Sequence, residues 1–190
     1  MTMYLWIDLE TTGLDPDNDR ILEIGWLLSD HHEQVTEEQS VLITPDKTAW
    51  ELMQQDIFVQ TMHTENDLLK DMDYFGTILP EDAEDQILEE LDKHYPEGLL
   101  TLAGASVHFD RAFICNWMPR LDRRLSHRHM DVSTLRMFFD SQGYYSVGEK
   151  ERETVHRAME DIVDTFKLYK RYLSLVQELG TRNEPDDLDA

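Results

Sequence analysis

The stretch that most constrains the fold is residues 4–14, which read YLWIDLETTGL. Apolar residues fill it as in a buried strand, yet Asp8 and Glu10 interrupt the run two residues apart. Side chains on a strand alternate between its two faces, so these two acids share a face. Two buried carboxylates repel each other and are costly to desolvate, and a divalent cation with oxygen ligands removes both penalties. The residues alone leave two interpretations open: a metal site, or a strand end at which both acids reach solvent.

The rest of the chain has the pattern of an α/β fold with a mixed sheet covered by helices. Two further strands complete an antiparallel meander with the first, and two short strands come later, separated by helices. Ser133 is the predicted N-cap of a helix through Phe139. The predicted strands are residues 20–28, 34–43, 99–103 and 130–132, and the predicted helices are short pieces in 49–74, then 80–94, 109–117, 133–139 and 154–179.

The length of 190 residues fits one domain with a substantial core, which we place at residues 1–180. Residues 181–190 form an acidic tail that we expect to be disordered. No apolar run reaches the roughly 20 residues that span a bilayer, so we expect no membrane partner. The single cysteine excludes an internal disulfide and fits a reducing compartment, which predicts a cytoplasmic protein.

Three more side chains stand where catalytic groups could lie. Asp110 follows a strand and a turn at a predicted helix start, where an acid is also an ordinary cap. Asp161 lies on the long last helix, and His156 precedes it by five residues. Five residues correspond to an offset of ~140° around a regular helix. His156 and Asp161 can therefore meet at one site only if His156 lies in the loop or frayed turn before the helix.

Together, these positions resemble the DEDDh 3′–5′ exonucleases of the ribonuclease-H-like fold. The motifs that carry the resemblance are DLETTGL at 8–14, SVHFD at 106–110 and HRAMED at 156–161. The resemblance implies a three-layer fold with a mixed five-stranded sheet flanked by helices. It also implies that two divalent cations, Mg²⁺ or Mn²⁺, are held by a set of four acids, and that His156 accepts the proton of the attacking water. The four acids are Asp8, Glu10, Asp110 and Asp161.

A narrower resemblance, to the oligoribonuclease family, covers nearly the whole chain. It is carried by residues 6–24, by TMHTENDLL at 61–69, and by HRHMDVSTL at 127–135. It implies a homodimer that degrades short RNAs, dinucleotides above all, to nucleoside 5′-monophosphates. It also implies a set of substrate-binding residues. Those that contact bases would be Leu14 and Phe58, and those around the 5′ phosphate would be His63, Ser106, Arg128, Ser133 and Thr134.

Departures from the oligoribonuclease pattern keep an alternative open. The chain has His127-Arg128 where that family has Tyr-Arg in a loop supplied by the partner, and Ala105-Ser106 where it has Asn-Ser. The alternative is a general DEDDh exonuclease, similar to ribonuclease T or a proofreading subunit, that trims longer RNA or DNA 3′ ends. A non-catalytic module that kept the fold is a third hypothesis, and the presence of all five catalytic positions speaks against it.

The net charge of −23 argues against a long nucleic acid as partner, because an acidic surface repels phosphates. The objection weakens for a short substrate that is contacted through metal ions. The only basic patch in the sequence is RLDRRLSHRH at residues 120–129. Such a patch is often a solvated face, but its position around Arg128 favours a role in phosphate contact.

Overall fold

The computed structural model of the protein describes residues 3–145 and 155–181. Within this part of the chain, no helix is both long and apolar enough to cross a membrane. The predicted helix start at Thr154 and the tail beyond Thr181 lie outside the described residues. The strands are β1 (Met3–Thr11), β2 (Ile21–Asp30), β3 (Val35–Leu42), β4 (Leu100–Gly104) and β5 (Leu125–Asp131). The helices are α1 (Lys47–Gln55), α2 (Ile57–Glu65), α3 (Leu68–Phe75), α4 (Pro80–His94), α5 (His108–Trp117), α6 (Pro119–Asp122), α7 (Val132–Ser141) and α8 (Ala158–Thr181).

The five strands form one sheet in the order β3-β2-β1-β4-β5. The first three strands pair antiparallel as a meander, whereas β4 lies parallel to β1 and β5 lies parallel to β4. The connections that return the chain to parallel strands run through helices, as parallel pairing requires. The mixed five-stranded sheet of the prediction is confirmed.

The central strand β1 divides the core into two layers because its side chains alternate. Leu5 and Ile7 point to one face and pack in a cluster with apolar residues of α4, α5 and α6. Tyr4 and Trp6 point to the other face and pack with residues of α7 and α8, where Trp6 contacts Phe166 edge to face. Each large side chain buried in this way contributes roughly 1.5–3 kcal/mol to the free energy of unfolding. Helices therefore cover both faces, which confirms the three-layer fold.

The edge strand β5 is longer than the sequence indicated. It begins at Leu125 rather than Met130, and its middle residues are polar and exposed. An edge strand with few buried side chains shows little apolar periodicity, so the pattern revealed only its end. The predicted N-cap of α7 was also wrong: α7 begins at Val132, and the Asp131 carboxylate accepts a hydrogen bond from the backbone N–H of Ser133.

The start of α8 lies unusually close to the sheet. Gly25 of β2 is the residue opposite Asp8 in the β1–β2 register, and α8 begins directly above it. A Cβ at Gly25 would lie 2.9 Å from the carbonyl carbon of Ala158 and from the backbone nitrogen of Met159. Only glycine permits this approach, which brings the first turn of α8 down toward the carboxylates of β1.

We expect Gly25→Ala to destabilise the fold by roughly 1–3 kcal/mol, because the added methyl meets backbone atoms that cannot rotate away. The start of α8 should shift, so catalytic activity should fall as well. Urea unfolding and an activity assay on the same preparation measure both effects.

Gly180→Ala is the matched control, because nothing lies within 4 Å of a Cβ at Gly180 in α8. That variant should be as stable as wild type or slightly more so, since alanine is the better helix former. Equal stability of Gly25→Ala and wild type would contradict the close approach described above.

Candidate active site

Carboxylates of neighbouring strands form the floor of the candidate site. Asp8 and Glu10 lie on the same face of β1, as their spacing predicted, and Glu10 is buried. Glu23 of β2 is directly opposite Glu10 in the antiparallel register and is buried too. Residues that oppose each other across two strands share a face. Three acids therefore occupy one patch of the sheet, and the burial of Glu10 and Glu23 argues against a strand end open to solvent.

Asp110 joins this floor from the first turn of α5. Its Oδ1 accepts a hydrogen bond from the backbone N–H of Leu9 at 3.1 Å, so the side chain crosses to β1 instead of capping its own helix. The approach of β4 to β1 is close here: a Cβ at Gly104 would lie 2.9 Å from the carbonyl oxygen of Ile7. The short strand, the glycine and the turn that follows it thus bring Asp110 against β1, next to Asp8 and Glu10.

His156 and Asp161 come from the two sides of the start of α8. The helix begins at Ala158, so His156 precedes it and adopts a left-handed φ of 56°. Asp161 lies in the first turn, where its backbone N–H donates to the carbonyl of Arg157 at 3.0 Å. Glu10, His156 and Asp161 each offer a ligand atom within 4.8 Å of the others. His156 thus lies before the helix, which is the position that it needs in order to meet Asp161 at one site.

The acids of the floor are electrostatically strained when no cation is present. Burial, and then repulsion by Glu23 and Asp161, raises the pKa of Glu10 to about 8. Burial also raises the pKa of Asp110 to about 8, and burial with repulsion by Asp110 and Glu10 raises the pKa of Asp8 well above its usual range. These are the pKa shifts of a site that lacks positive charge.

No lysine or arginine among the described residues forms an ion pair with Asp8, Glu10 or Asp110. A group of buried carboxylates without a partner cation is the oxygen-rich environment that Mg²⁺ and Mn²⁺ prefer. The residues therefore fit divalent cations.

The two residues predicted to contact bases are large, apolar and exposed. Leu14 follows β1 in the turn beyond Gly13 and is 83% exposed, and Phe58 in the first turn of α2 is 74% exposed. Both flank the candidate site, since β1 continues into the Leu14 turn and α2 contacts Thr11 through His63. Single exposed apolar side chains are common on protein surfaces, so their contact with bases stays a prediction.

The structure brings together two of the residues predicted to bind a 5′ phosphate. The hydroxyls of Ser106 and Ser133 lie 3.2 Å apart, and Asp131 accepts hydrogen bonds from the backbone N–H groups of both residues. Ser106 has a left-handed φ of 57°, which turns the chain between β4 and α5. Thr134 is exposed in the first turn of α7, and Arg128 is exposed on β5.

His63 lies elsewhere than predicted. Its side chain is completely buried, and its Nε2 is 2.9 Å from the carbonyl oxygen of Thr11. A carbonyl can only accept, so Nε2 carries the proton, and Nδ1 faces Glu10 Oε2 at 4.0 Å. Burial lowers the pKa of His63. This placement does not support contact with a phosphate. His63 instead connects α2 to Thr11, the last residue of β1.

The basic patch is largely neutralised within the chain. Arg120 binds Glu84 at 2.7 Å and Asp85 at 2.5 Å, and Arg124 binds Asp92 and the carbonyl of Tyr95. Two of the four arginines of the patch therefore balance acids of α4, and the role in phosphate contact around Arg128 stays a prediction. Arg123 and Arg128 remain exposed.

A second group of metal-ligand side chains lies between β3 and α4. His94 Nε2 is 3.4 Å from Glu90 and 4.0 Å from Glu37. Lys93 also binds Glu90 at 3.1 Å. Lys93 therefore already balances the Glu90 carboxylate of this group.

Sequence analysis missed Glu23, Arg157 and Asn66. Glu23 is a lone acid within the apolar run RILEIGWLL, the same signal that singled out Asp8 and Glu10. Arg157 directly follows the predicted general base. No local pattern could identify Asn66, because its role depends on a contact between residues 90 positions apart.

A family model described as Exonuclease matches residues 5–169 of the chain. The oligoribonuclease of Corynebacterium diphtheriae is 35% identical over 188 residues, covering 96% of this chain and 88% of its own. The oligoribonuclease of Corynebacterium glutamicum is 37% identical over 194 residues, with coverages of 98% and 87%. That of Chromobacterium violaceum is 30% identical over 168 residues, with coverages of 88% and 92%.

Solved structures of larger nucleases share the fold. The zinc-bound form of an E. coli exonuclease I–single-stranded DNA complex aligns with a TM-score of 0.70 at 15% identity, over 96% of this chain and 42% of that one. Exonuclease I from Methylocaldum szegediense aligns with a TM-score of 0.66 at 16% identity, over 92% of this chain and 41% of that one. This chain thus spans less than half of those proteins, and the likeness concerns the fold alone.

We expect the metal-free protein to lose stability as the pH rises from 3.8 to about 8, because the folded state holds protons on Asp110 that the unfolded chain has released. Asp110→Asn keeps the acceptor for the Leu9 N–H and removes the titration. Its stability advantage over wild type should grow by about 3 kcal/mol between about pH 5.5 and about pH 8.5. Urea unfolding in EDTA measures this difference.

Asp67→Asn is the control, because Asp67 forms an exposed ion pair with Lys70 outside the site. Its effect on the free energy of unfolding should be the same at both pH values. An Asp110→Asn curve that runs parallel to the wild-type curve would show that the buried acid is ionised in the metal-free fold.

Proposed function

The chain belongs to the exonuclease family whose model spans residues 5–169, and on that premise we propose that it is a metal-dependent 3′–5′ exoribonuclease acting on short oligoribonucleotides. The observation that carries the chemistry is the convergence of Glu10, His156 and Asp161 within 4.8 Å, beside the half-buried Asp8 and the buried Asp110. The proposal of short RNA as the substrate is supported by relatives named oligoribonuclease, which are 30–37% identical over most of the chain.

In this proposal, the four acids of the site hold two divalent cations, Mg²⁺ or Mn²⁺. When bound, these ions supply activation of a water and stabilisation of the charge on the departing 3′ oxygen. The four acids are Asp8, Glu10, Asp110 and Asp161.

His156 is the general base of the proposed reaction. Its imidazole is exposed and lies beside Glu10 and Asp161, where it can accept a proton from the attacking water. The water oxygen bonds to phosphorus while the bond from phosphorus to the 3′ oxygen breaks. The products are a nucleoside 5′-monophosphate and an RNA shortened by one nucleotide with a free 3′ hydroxyl.

Two groups of residues would limit the site to short substrates. Leu14 and Phe58 would pack against the bases, and stacking on an aromatic side chain contributes about 1–3 kcal/mol per base. The hydroxyls of Ser106 and Ser133 would bind the 5′ phosphate, with Thr134 and Arg128 nearby in the same segment. A bound 5′ phosphate leaves no path for further nucleotides, so such a cap selects for length.

We infer also that the protein acts as a homodimer. Met137 and Phe138 on α7 are exposed, and α7 directly follows the edge strand β5. An interface over this surface would cover both side chains and would place Arg128 of β5 close to the contact. Light scattering on the full chain measures the assembly.

The function is tested by cleavage of 5′-labelled RNAs of two, three, five, seven and twenty nucleotides, each with Mn²⁺ and with EDTA. We expect metal-dependent loss of the dinucleotide to be fastest and attack on the twenty-mer to be slowest, because a 5′ phosphate cap fits only short chains. A general DEDDh exonuclease would show the reverse ranking. The absence of cleavage at every length would refute the proposed activity.

Asp161→Asn should lower kcat by more than ~100-fold, because the amide cannot supply the charge that a cation requires. The circular dichroism spectrum should match wild type, since the backbone N–H of Asp161 still bonds to Arg157. Asp164→Asn, which removes a surface partner of Lys167 on the same helix, should retain wild-type activity. Wild-type turnover by Asp161→Asn would rule out its assignment as a ligand.

A further inference from the structure

Arg157 lies between two residues of the candidate site. His156 precedes Arg157 in the chain. The backbone carbonyl of Arg157 accepts a hydrogen bond from the backbone N–H of Asp161 at 3.0 Å. A shift of Arg157 therefore moves the general base and the first turn of α8 together. The contacts of the Arg157 side chain therefore determine how firmly His156 and the first turn of α8 are positioned.

The guanidinium of Arg157 points into the protein and is almost fully bonded. Its Nε and Nη2 donate to the two carboxylate oxygens of Glu23 at 3.1 and 3.3 Å. Its Nη1 donates to Asp71 at 2.7 Å and to the carbonyl of Asn66 at 3.4 Å. Four of the five N–H groups of the fork are thus used. An arginine that binds a substrate phosphate would present this fork to the cleft, so the geometry argues against that role.

Glu23 connects this arginine to the floor of the site. Besides Arg157, its carboxylate accepts hydrogen bonds from the backbone N–H of Ala158 at 3.1 Å and from the hydroxyl of Ser40 at 2.8 Å. The bond to Ala158 satisfies an N–H group in the first turn of α8 and places negative charge at the positive end of that helix. The Arg157 fork also occupies both oxygens of Glu23, which keeps this fifth acid out of the metal set.

Asn66 holds the residue before Arg157. Its side-chain amide donates to the carbonyl of His156, and its Oδ1 accepts from the backbone N–H of Leu68 at 3.0 Å. The left-handed φ of 56° at His156 is uncommon for a residue with a Cβ and persists where the surroundings enforce it. β2, α3 and the C-cap residue of α2 thus all bond to the two residues that precede α8.

We propose that Arg157 is a positioning residue for the reaction, acting with Glu23, Asp71 and Asn66 to fix the backbone of His156 and the first turn of α8 against Glu10. The inference rests on the proposed exonuclease function. It assigns Arg157 no contact with substrate or with the reacting atoms. The guanidinium of Arg157 acts only by keeping His156 and Asp161 in their positions relative to each other.

The kinetic test is Arg157→Gln on a short RNA with Mn²⁺. We expect kcat to fall by about tenfold or more, because small misplacements of a catalytic group are costly, and KM to change by less than about twofold. Arg124→Gln is the matched control: Arg124 is also 20% exposed and ion-paired, at the opposite end of the sheet, and should keep wild-type kinetics. An unchanged kcat, or a rise in KM with kcat unchanged, would overturn the proposal.

Two further variants keep the test valid if Arg157→Gln is unstable. The double variant Glu23→Gln/Arg157→Gln removes the buried charge that the single change leaves unpaired, so it should regain stability without regaining kcat. Arg157→Lys keeps the charge without the fork, so its kcat should lie between those of wild type and Arg157→Gln. Full recovery of kcat in the double variant would mean that Arg157 only neutralises Glu23, and would refute a positioning role.

The ring signals of the histidines in a ¹H–¹³C spectrum give a readout that needs no activity. The His156 signal is identified by its loss in His156→Gln. It should shift or broaden in Arg157→Gln and in Asn66→Ala, and stay unchanged in Arg124→Gln. If wild type fails to cleave any RNA, the proposed function fails while this spectrum still tests the positioning. An active wild type with an unmoved His156 signal in both variants defeats the positioning alone.

Discussion

The repulsion among buried carboxylates is the constraint on which the structure of the site depends. Asp8 and Glu10 lie on the central strand, where helices cover both faces of the sheet, and Glu10 is buried. Burial raises the pKa of Glu10 and of Asp110 to about 8, so in the absence of cations each competes for a proton. A fold that keeps such groups together is held by contacts elsewhere and is relieved by a ligand of opposite charge.

Those contacts converge on the start of α8. The close packing over Gly25 sets the height of the helix above the sheet, and the Glu23 carboxylate accepts a hydrogen bond from the N–H of its first residue, Ala158. Asn66 bonds to the carbonyl of His156, two residues before the helix begins, at a backbone conformation that an unrestrained histidine rarely adopts. Because Asp161 lies in the first turn, the same contacts locate the acid proposed as a metal ligand and the histidine proposed as the general base. The precision of the site thus comes from the junction of three elements rather than from any single one.

The sequence predicted what local pattern determines. Alternation placed Asp8 and Glu10 on one face, and the helix from Pro80 to His94 was predicted to its observed ends because proline and the apolar spacing mark it. Tertiary contacts decided the rest. The edge strand β5 lacks apolar periodicity, and the burial of His63 depends on how α2 packs against Thr11. A motif aligned with a family identifies a residue type at a position, but the depth of that side chain is a property of the packed fold.

Charge connects the fold to the length of the substrate. Every phosphate that extends beyond the site meets a chain with a net charge of −23, and the attraction expected from the basic patch is reduced because Arg120 and Arg124 are bound to acids of α4. A long RNA therefore gains few favourable phosphate contacts from added nucleotides and is repelled by the acidic surface, at least within the range of a Debye length of about 8 Å. A dinucleotide avoids this repulsion and needs only the cations, two apolar contacts and a small group of hydroxyls. Acidity, which argues against nucleic acid binding in general, thus favours the short substrates that the site is proposed to cleave.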